Sequence, residues 1–416
     1  MKLPIRIVIL GAGDRGRTYA SYAKAYPDKV KIVGVADINP AAREAVAHDH
    51  ALPPEAVWGD WSEAVAAKPV CDVMTVTMPD ALHIEPALAC LDLGVHLLLE
   101  KPMARTWEEC ERLAAKVREK PNRLVILGHV LRYTVYYKKL KALLDAQTIG
   151  EVVSIQHLEP VAYMHAAHSF CRGNWGNTER STPMILQKCS HDFDLFAWWI
   201  GKRGLIAQSF GGLAHFRPDH APQGAAKYCI ACPSAIECRC PYSARKLLCE
   251  RESLWYALPT HTPEALETLL RGVYGRCVYA CENDAVDHQV VNLLFEGGVT
   301  VSHSMEAYTW ERDRQTRICC TRGEIIGDAR TLTIHHFDSR TTEQWDAALE
   351  SGTATHESSY ILGNDGLMRD WVEAMRTLPP TAYVERFHES IQSHALAFAA
   401  EYSRLNGGAP VPIASL

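Results

Sequence analysis

Short apolar runs alternate with amphipathic segments along residues 5–128, and this is the clearest structural pattern in the chain. Apolar runs rich in β-branched residues predict strands buried on both faces, and the segments between them predict helices. The predicted strands are 5–10, 31–36, 72–77, 95–99 and 124–128. The predicted helices are 16–25, 41–48, 79–93 and 106–119. This order of elements predicts a doubly wound parallel sheet of the α/β class.

The pattern changes after residue 130. Strand-like runs occur at 151–158, 207–213, 285–294, 300–306 and 316–320, and predicted helices cover 135–144, 365–376 and 387–405. Several of these runs alternate polar and apolar residues, which is typical of a half-exposed antiparallel sheet. We therefore predict two domains, 1–130 with the parallel sheet and 131–416 with an open, mainly antiparallel sheet and an α+β character. Within the second, residues 217–249 are predicted to be an insertion, and the C-terminal helices to pack back on the first domain.

A glycine motif follows the first predicted strand. Gly11, Gly13 and Gly16 have the spacing G-x-G-x-x-G. This spacing permits a tight turn, a close approach of the backbone to a pyrophosphate, and close packing of the next helix on the sheet. The amide groups at the start of that helix then point at the phosphates. The motif predicts a Rossmann dinucleotide site.

Asp37 ends the second predicted strand, 21 residues after Gly16. A carboxylate at about this distance binds the ribose 2′-hydroxyl of NAD and repels the 2′-phosphate of NADP. No arginine adjoins Asp37 in the sequence to receive that phosphate. The sequence therefore favours NAD over NADP. The alternative is an ordinary glycine-rich turn in which Asp37 caps a helix.

Composition and charge narrow the functional classes. The chain of 416 residues is 47% hydrophobic and 22% charged, which is ordinary for a globular protein. A formal net charge of −6 without a basic block argues against nucleic acid as the main partner. No apolar run approaches the ~20 residues that span a bilayer, and the first strand begins too early for a signal peptide. We expect a cytoplasmic protein whose 14 cysteines are thiols or metal ligands.

The tripeptide Glu100-Lys101-Pro102 follows the fourth long strand. Ligands of open α/β sheets bind at this edge, where the carboxyl ends of the strands meet. Partial burial and a nearby cation both favour a neutral lysine, so Lys101 is a candidate proton donor and acceptor. The alternative is a loop lysine held by a salt bridge with Glu100.

Several motifs occur together in a recognisable order. They are G-A-G-x-x-G, Asp37, T-M-P-D-x-x-H at 77–83, G-V-H at 94–96, E-K-P at 100–102, R-Y at 132–133, I-G-E-V at 149–152 and S-H-D-F-D at 190–194. In this combination the chain resembles the glucose-fructose oxidoreductase / inositol dehydrogenase / rhizopine catabolism family. The resemblance covers nearly the whole chain apart from the cysteine-rich insertion.

The resemblance implies a Rossmann domain, a C-terminal domain whose sheet mediates dimers or tetramers, NAD or NADP as cofactor, and a sugar or polyol substrate. It implies that Lys101 assists proton transfer at the reacting hydroxyl, that its bond to Pro102 is often cis, and that His191 contacts that hydroxyl. The cofactor is expected at Gly11, Gly13, Asp14, Arg15, Gly16, Asp37, Thr77, Pro79, His83, Glu100 and Lys101.

The chain departs from the family pattern at one position. Inositol-dehydrogenase-like members carry an aspartate four residues before the histidine that His191 matches, and here Gln187 occupies that place. A glutamine cannot act as a base, and Lys188 is a candidate substitute in the catalytic set. The alternatives are an exposed helix lysine for Lys188 and a helix-capping or core histidine for His191.

The segment 165–175 is predicted to be a substrate-binding loop, because imidazole, guanidinium and indole groups suit the hydroxyls and apolar faces of sugars. A plain surface loop is the alternative. The candidate substrate residues are Arg132, Tyr133, His165, His168, Arg172, Asn174, Trp175 and His191.

The insertion contains a cluster of four cysteines, Cys229, Cys232, Cys238 and Cys240. Such spacing can wrap one tetrahedral Zn²⁺ in a structural role, with His215 or His220 as a replacement ligand. An iron–sulfur cluster and a chance grouping of free thiols are the alternatives.

Taken together, the sequence predicts an NAD-dependent oxidoreductase that transfers hydride between nicotinamide and a ring hydroxyl of a sugar, sugar acid, cyclitol or glycoside. Two other functions stay open. One is an NAD-dependent glycosidase that oxidises C3 transiently, eliminates the aglycone and reduces the ring again, and the other is a non-catalytic nucleotide sensor. We expect a small carbohydrate ligand, no nucleic acid or membrane partner, and a homodimer or homotetramer.

Overall fold

The first sheet of the protein contains six parallel strands, in the order β3-β2-β1-β4-β5-β6. The structure is a computed structural model that describes residues 3–250, 262–351 and 356–413. The strands are β1 Ile5–Leu10, β2 Val30–Ala36, β3 Val57–Trp58, β4 Val73–Val76, β5 His96–Leu99 and β6 Val125–Leu127. The strand order reverses between β1 and β4, which opens a crevice at the carboxyl ends of these two strands.

Helices cover both faces of this sheet, so its strands are buried. In β1 every residue except Arg6 is buried, as a strand between two helical layers requires. The helices of this part are α1 Asp14–Ala25, α2 Pro40–Asp49, α3 Trp61–Ala67, α4 Ile84–Leu93 and α5 Trp107–Glu119. Helix α6 Val135–Asp145 follows in the chain, and its Leu140 belongs to a different core cluster, together with Ile155 and Phe193.

A second sheet contains nine strands in the order β14-β13-β12-β11-β7-β10-β9-β8-β15. Only the pair of β7 and β10 is parallel among its described pairings. The strands are β7 Val152–Pro160, β8 Gly204–Gly212, β9 His288–Phe295, β10 Thr300–Glu306, β11 Gln315–Cys320, β12 Gly323–Gly327, β13 Thr331–His336, β14 Thr341–Asp346 and β15 Val411–Pro412. The predicted α/β class with a mainly antiparallel second sheet is confirmed.

The remaining helices surround this sheet and join it to the first. They are α7 Tyr163–His165, α8 Met184–Ile200, α9 Ser234–Glu237, α10 Ala244–Glu250, α11 Pro263–Arg271, α12 Ala347–Ser351, α13 His356–Thr377 and α14 Thr381–Leu405. Leu367 and Trp371 of α13 share a core cluster with Ile5 and Ile7 of β1. No helix in the described residues is long and apolar enough to cross a membrane.

Some observed element boundaries differ from the predicted ones because local turns precede or follow the element. The predicted helix 79–93 begins at Ile84, because Asp80–Leu82 forms a separate 3₁₀ turn. Strand 300–306 matches β10 at both ends. The insertion at 217–249 contains short helices and turns, and part of the chain that follows it lies outside the described residues.

Candidate active site

The turn between β1 and α1 has the shape of a nucleotide cradle. Gly11 has φ of +97°, and a Cβ on it would lie 2.8 Å from Met78. A Cβ on Gly16 would lie 1.9 Å from the carbonyl oxygen of Gly11. By contrast, nothing lies within 4 Å of a Cβ built on Gly13, at the N-terminus of α1. The space beside Gly13 and the free helix N-terminus fit a pyrophosphate.

Asp37 lies at the end of β2 and faces this turn. Its Oδ2 accepts a hydrogen bond from Ala12 N at 2.6 Å, and its Oδ1 accepts one from Asn39 N at 2.7 Å. The two hydrogen bonds therefore hold the carboxylate in the position from which it can bind the ribose hydroxyls of the adenosine half of a dinucleotide. Arg43, in the first turn of α2, donates from Nη1 to the carbonyl of Asp37 at 3.1 Å. The fold therefore brings an arginine close to Asp37, although none adjoins it in the sequence.

Two of the predicted cofactor residues hold the backbone of the crevice. Thr77 Oγ1 donates to the carbonyl of Gly11 at 2.7 Å. The ring of the buried His83 lies between two carbonyls, at 2.9 Å from Met78 O and 2.7 Å from Pro102 O. His83 thus ties the loop after β4 to the loop after β5. Pro79 precedes the 3₁₀ turn in this loop, and Asp14 is exposed at the start of α1.

Glu100 is buried and anchors the segment that carries Lys101. Its carboxylate accepts from Arg15 Nε at 2.7 Å, from Tyr19 Oη at 2.5 Å and from Lys101 N at 2.9 Å. Burial raises the pKa of Glu100, but the Arg15 charge and the Tyr19 hydroxyl outweigh burial and lower it overall. Glu100 and Arg15, predicted to contact the cofactor, have each other as partners.

The side chain of Lys101 reaches across to the second domain. The Lys101–Pro102 bond is cis. Lys101 Nζ donates to the carbonyl of Gln187 at 2.8 Å, so the predicted alternative of a salt bridge with the Glu100 carboxylate is not what holds it. Burial lowers the pKa of Lys101 to about 8, with Lys188 adding to the effect and Asp80 opposing it. About a tenth of the Lys101 amine is therefore neutral at pH 7, and about half at pH 8.

Helix α8 brings Gln187, Lys188 and His191 to the same place, because positions three and four apart share a helix face. His191 is buried, and burial, then the charges of Lys101 and His129, hold its pKa well below 6.5. The imidazole is therefore neutral at physiological pH. Gln187 stands where related enzymes have an aspartate. Its side chain cannot act as a base, but its backbone carbonyl accepts a hydrogen bond from the Lys101 amine.

Lys188 is neither exposed nor alone. Its Nζ lies 3.1 Å from Glu159 Oε1, and the other oxygen of Glu159 lies 2.8 Å from Arg314 Nη2. Arg314 in turn pairs with Asp192, whose Oδ1 is 2.9 Å from His157 Nε2. Sequence reasoning missed this buried chain of charges. Its sequence signal was the pair of polar residues His157 and Glu159 at inward positions of β7.

The predicted substrate loop contributes His165 to this group. Burial, and then the charge of Lys188 and Arg312, hold the pKa of His165 well below 6.5. The ring of Trp175 is 6.4 Å from the His165 ring and 5.4 Å from Phe170. These rings form a wall next to Lys188. His168 instead stacks on Tyr274 at 4.4 Å between ring centroids, and Asn174 is exposed.

Arg172, which was predicted to bind the substrate, has partners within the protein. Arg172 is buried and donates to the carbonyls of Ala167, Tyr242 and Arg276, so its guanidinium cannot clamp a substrate carboxylate. This corrects the prediction, and the cause is a backbone environment that the sequence does not display.

Arg132 and Tyr133 also serve the structure. Arg132 forms a bidentate pair with the buried Asp194, at 2.6 and 2.7 Å. Burial raises the pKa of Asp194, but the Arg132 charge outweighs it and brings it to about 2. Tyr133 Oη accepts from Arg386 at 3.2 Å. Both side chains therefore have partners within the protein, and their contact with a substrate stays a prediction.

The predicted metal ligands are not assembled as a set. Cys238 is exposed, and its sulfur donates to the carbonyl of Ala235 at 3.6 Å. His215 Nε2 lies 3.0 Å from Tyr279 Oη, and His215 and His220 lie 3.3 Å apart at Nδ1. Among the described residues, no three of the cysteines Cys229, Cys232, Cys238 and Cys240 have sulfurs within 4.8 Å of one another.

Comparison with known proteins follows the same division of the chain. One family model, the oxidoreductase family with an NAD-binding Rossmann fold, matches residues 5–129. A second, the C-terminal alpha/beta domain of that oxidoreductase family, matches residues 141–412. The chain belongs to the Gfo/Idh/MocA oxidoreductase family. Membership confirms the resemblance drawn from the motifs and identifies the first domain as an NAD-binding Rossmann fold.

Individual relatives are more distant. The chain is 31% identical to inositol 2-dehydrogenase of Agrobacterium fabrum over 199 residues, 48% of this chain and 55% of that protein. The chain thus spans about half the length of such curated relatives. In fold it is similar to scyllo-inositol dehydrogenase of Lactobacillus casei with bound NAD(H) and scyllo-inositol, with a TM-score of 0.66, 16% identity and 99% of both chains covered. It is equally similar to the WlbA dehydrogenase of Bordetella pertussis in complex with NADH and UDP-GlcNAcA, with a TM-score of 0.67, 16% identity and 100% of both chains covered.

Proposed function

We propose that this Gfo/Idh/MocA oxidoreductase oxidises a ring hydroxyl of a sugar, sugar acid or cyclitol, and runs the reverse reaction, with NAD. One observation carries the proposal. An amine with a pKa of about 8, on Lys101, lies at the strand edge of the nucleotide crevice and next to a face formed by Lys188 and His191. A group with this pKa can take or give a proton near neutral pH.

The residues divide the work around one hydroxyl. NAD would be held at the turn of Gly11, Gly13 and Gly16 and at Asp37, and it would supply the acceptor or donor of the hydride. The neutral amine of Lys101, oriented by the carbonyl of Gln187, takes the hydroxyl proton. His191, kept neutral by burial, donates or accepts a hydrogen bond at the same oxygen. Positioning of these groups before reaction supplies much of the acceleration.

The wall of His165 and Trp175 supports a cyclic polyhydroxylated substrate. An indole face packs on the apolar C–H face of a ring, while imidazole and ammonium groups bind hydroxyls. The relatives act on, or are bound to, molecules of this kind, such as scyllo-inositol and UDP-GlcNAcA. The inferred substrate class rests on that chemistry. A thiol-rich composition favours a reducing compartment, the cytoplasm, for the enzyme.

The decisive variant is Lys101→Met. It removes the proton acceptor but keeps the length of the side chain, so turnover should fall by roughly 10²–10⁴ while NAD affinity stays near that of the wild type. Steady-state kinetics and NAD titration by fluorescence measure the two effects. Lys29→Met, at an exposed lysine paired with Asp28, is the control and should leave both unchanged. Turnover near the wild-type level in Lys101→Met would refute the proposal.

A substrate screen separates this function from its rivals. Sugars, sugar acids, cyclitols and aryl glycosides are incubated with NAD, and both NADH absorbance and aglycone release are followed. Net NADH from a free sugar or cyclitol supports the dehydrogenase. Aglycone release that needs NAD but yields no net NADH would instead establish the glycosidase. If the protein binds NAD but converts none of the compounds, the non-catalytic nucleotide sensor is the remaining function.

A further inference from the structure

Arg172 is a buried cation, and no carboxylate among the residues that the structure describes pairs with it. Its side chain is 2% exposed, and its hydrogen bonds end on three carbonyls and on the sulfur of Cys229, which is 3.7 Å from Nη2. None of these partners carries a negative charge while Cys229 is a thiol. A buried charge without a counter-ion is expensive. The charge of Arg172 therefore points to an anion among the neighbouring sulfurs.

Cys277, which lies outside the sequence cluster, is brought next to Cys229. An antiparallel bridge joins Tyr228 to Arg276, and Cys277 N donates to the carbonyl of Lys227 at 2.9 Å. In such a pairing Cys229 and Cys277 are diagonal neighbours on one face, with Cα atoms ~7–8 Å apart. The two thiols thus point to the same side of the bridge.

Cys232 and Cys240 complete the group. Cys232 N donates to the carbonyl of Cys229 at 3.2 Å, which closes the tight C-x-x-C turn. Arg172 brings Cys240 to the same place, because its Nη2 donates both to the sulfur of Cys229 at 3.7 Å and to the carbonyl of Tyr242, two residues after Cys240.

We propose that Cys229, Cys232, Cys240 and Cys277 bind a thiolate-ligated metal centre, and that Arg172 compensates its negative charge. Four thiolates around one Zn²⁺, or around an iron–sulfur cluster, leave a negative site, which is the counter-ion that Arg172 lacks. Metal binding releases the thiol protons and so overcomes the cost of forming buried thiolates. The centre uses Cys277 where the sequence alone predicted Cys238.

The location gives the centre a structural role. Arg172 ends the helical turn Ala166–Arg172, which follows His165 of the substrate wall directly. Zinc ligands would need their sulfurs about 3.8 Å apart, since each lies ~2.3 Å from the metal. No three of the four sulfurs are within 4.8 Å of one another, so zinc requires them to close in, and a larger iron–sulfur cluster requires less movement.

The test is metal analysis of the full-length protein, purified anaerobically without added metal. Zinc, iron and acid-labile sulfide are measured per chain in the wild type, Cys277→Ser and Cys238→Ser. The wild type should contain either about one zinc ion per chain, or iron together with an equal amount of acid-labile sulfide. Cys277→Ser should lose most of it, while Cys238→Ser retains it. Circular dichroism and NAD binding report whether each variant is folded.

Wild-type protein with less than a tenth of an equivalent of zinc or iron would overturn the proposal. So would loss of metal in Cys238→Ser together with retention in Cys277→Ser. If Cys277→Ser does not fold, alkylation of the native wild type with peptide mapping decides. The four ligand cysteines should resist alkylation until the metal is removed by acid, whereas Cys238 reacts throughout, and equal reaction of Cys238 and Cys277 before removal would contradict the assignment.

Discussion

Two charged side chains near Lys101 act on its amine in opposite directions. Lys188 lowers the pKa of Lys101, and Asp80 raises it. Lys188→Met removes a like charge, so the pKa of Lys101 should rise by roughly 0.5–1 unit, and Asp80→Asn should lower it by a similar amount. In the direction of oxidation the neutral amine is the active form, so activity should increase with pH around a midpoint near 8 in the wild type.

The pH dependence of kcat/KM between pH 6 and 10 measures these midpoints. The rising limb should move to higher pH in Lys188→Met and to lower pH in Asp80→Asn, whatever happens to the maximal rate. Loss of fold or of substrate contacts would change the height of the profile and leave its midpoint in place. Midpoints that move in the same direction in both variants would contradict the assigned electrostatics.

Asp37 should decide the choice of cofactor. Its carboxylate repels a 2′-phosphate, and Arg43 is close enough to its backbone to bind one once that carboxylate is gone. In Asp37→Ala, kcat/KM with NADP should therefore rise relative to kcat/KM with NAD, by about tenfold or more. Asp60→Ala, which removes the cap of α3 away from the turn, is the control and should leave the ratio unchanged. An unchanged ratio in Asp37→Ala would show that the carboxylate does not select the cofactor.

Sequence reasoning describes best the residues whose surroundings are set by the local chain. Gly11 and Lys101 lie in short motifs at strand ends, where the backbone decides what a side chain can reach. The surroundings of Arg172 and Arg132 could not be predicted in this way, because their partners, the carbonyl of Arg276 and the carboxylate of Asp194, are distant in the sequence. Glu159 was missed for the same reason: its partner Lys188 is on another element.

At the level of elements, substitutions at two glycines of the β1–α1 turn should affect different properties, one the binding of NAD and the other the stability of the fold. A side chain on Gly13 meets nothing in the protein, while one on Gly16 collides with the backbone of Gly11. Gly13→Val should therefore fold with a melting temperature close to that of the wild type, but lose NAD affinity at least tenfold because it fills the phosphate space. Gly16→Val should lower the melting temperature by several degrees.

Thermal unfolding without NAD and titration with NAD distinguish the two outcomes. Gly212→Val, at another glycine with open space but in β8, is the control and should change neither quantity. If Gly13→Val binds NAD normally, the pyrophosphate does not pass that glycine.

Elements with a strong period were predicted well, and those held by neighbours were not. β10 alternates exposed and buried residues along its length, and its predicted ends are the observed ones. β14 is mostly exposed on both faces, so no hydrophobic alternation marks it, and only pairing with β13 makes it a strand. α8 was not delimited as an element, because buried polar residues interrupt its apolar pattern; those same residues build the site.

At the level of the whole molecule, the nine-stranded sheet has one face against helices and one face open. On β8, β9 and β10 the open face carries uncharged side chains at positions 206, 208 and 210, at 290, 292 and 294, and at 300, 302 and 304. Charged side chains on the same face lie at its margin and beyond, at Glu306, Arg317 and Glu324. Phe210 is 53% exposed, and its cross-strand partner Val290 is 46% exposed. A broad face with few charges suits a second copy of itself, since a two-fold interface must be self-complementary. The predicted homodimer or homotetramer should therefore use this face.

The double variant Phe210→Lys, Val290→Lys tests this interface. Two lysines on each copy place like charges opposite each other in a symmetric contact, so the assembly should dissociate to a monomer of about 46.3 kDa. Light scattering after gel filtration gives the mass, and circular dichroism shows that the fold is kept. Val70→Lys, at an apolar side chain that is 77% exposed on the other domain, should leave the mass unchanged. A double variant that stays assembled would place the interface elsewhere on the surface. A wild type that is already monomeric at micromolar concentration would contradict the predicted oligomer.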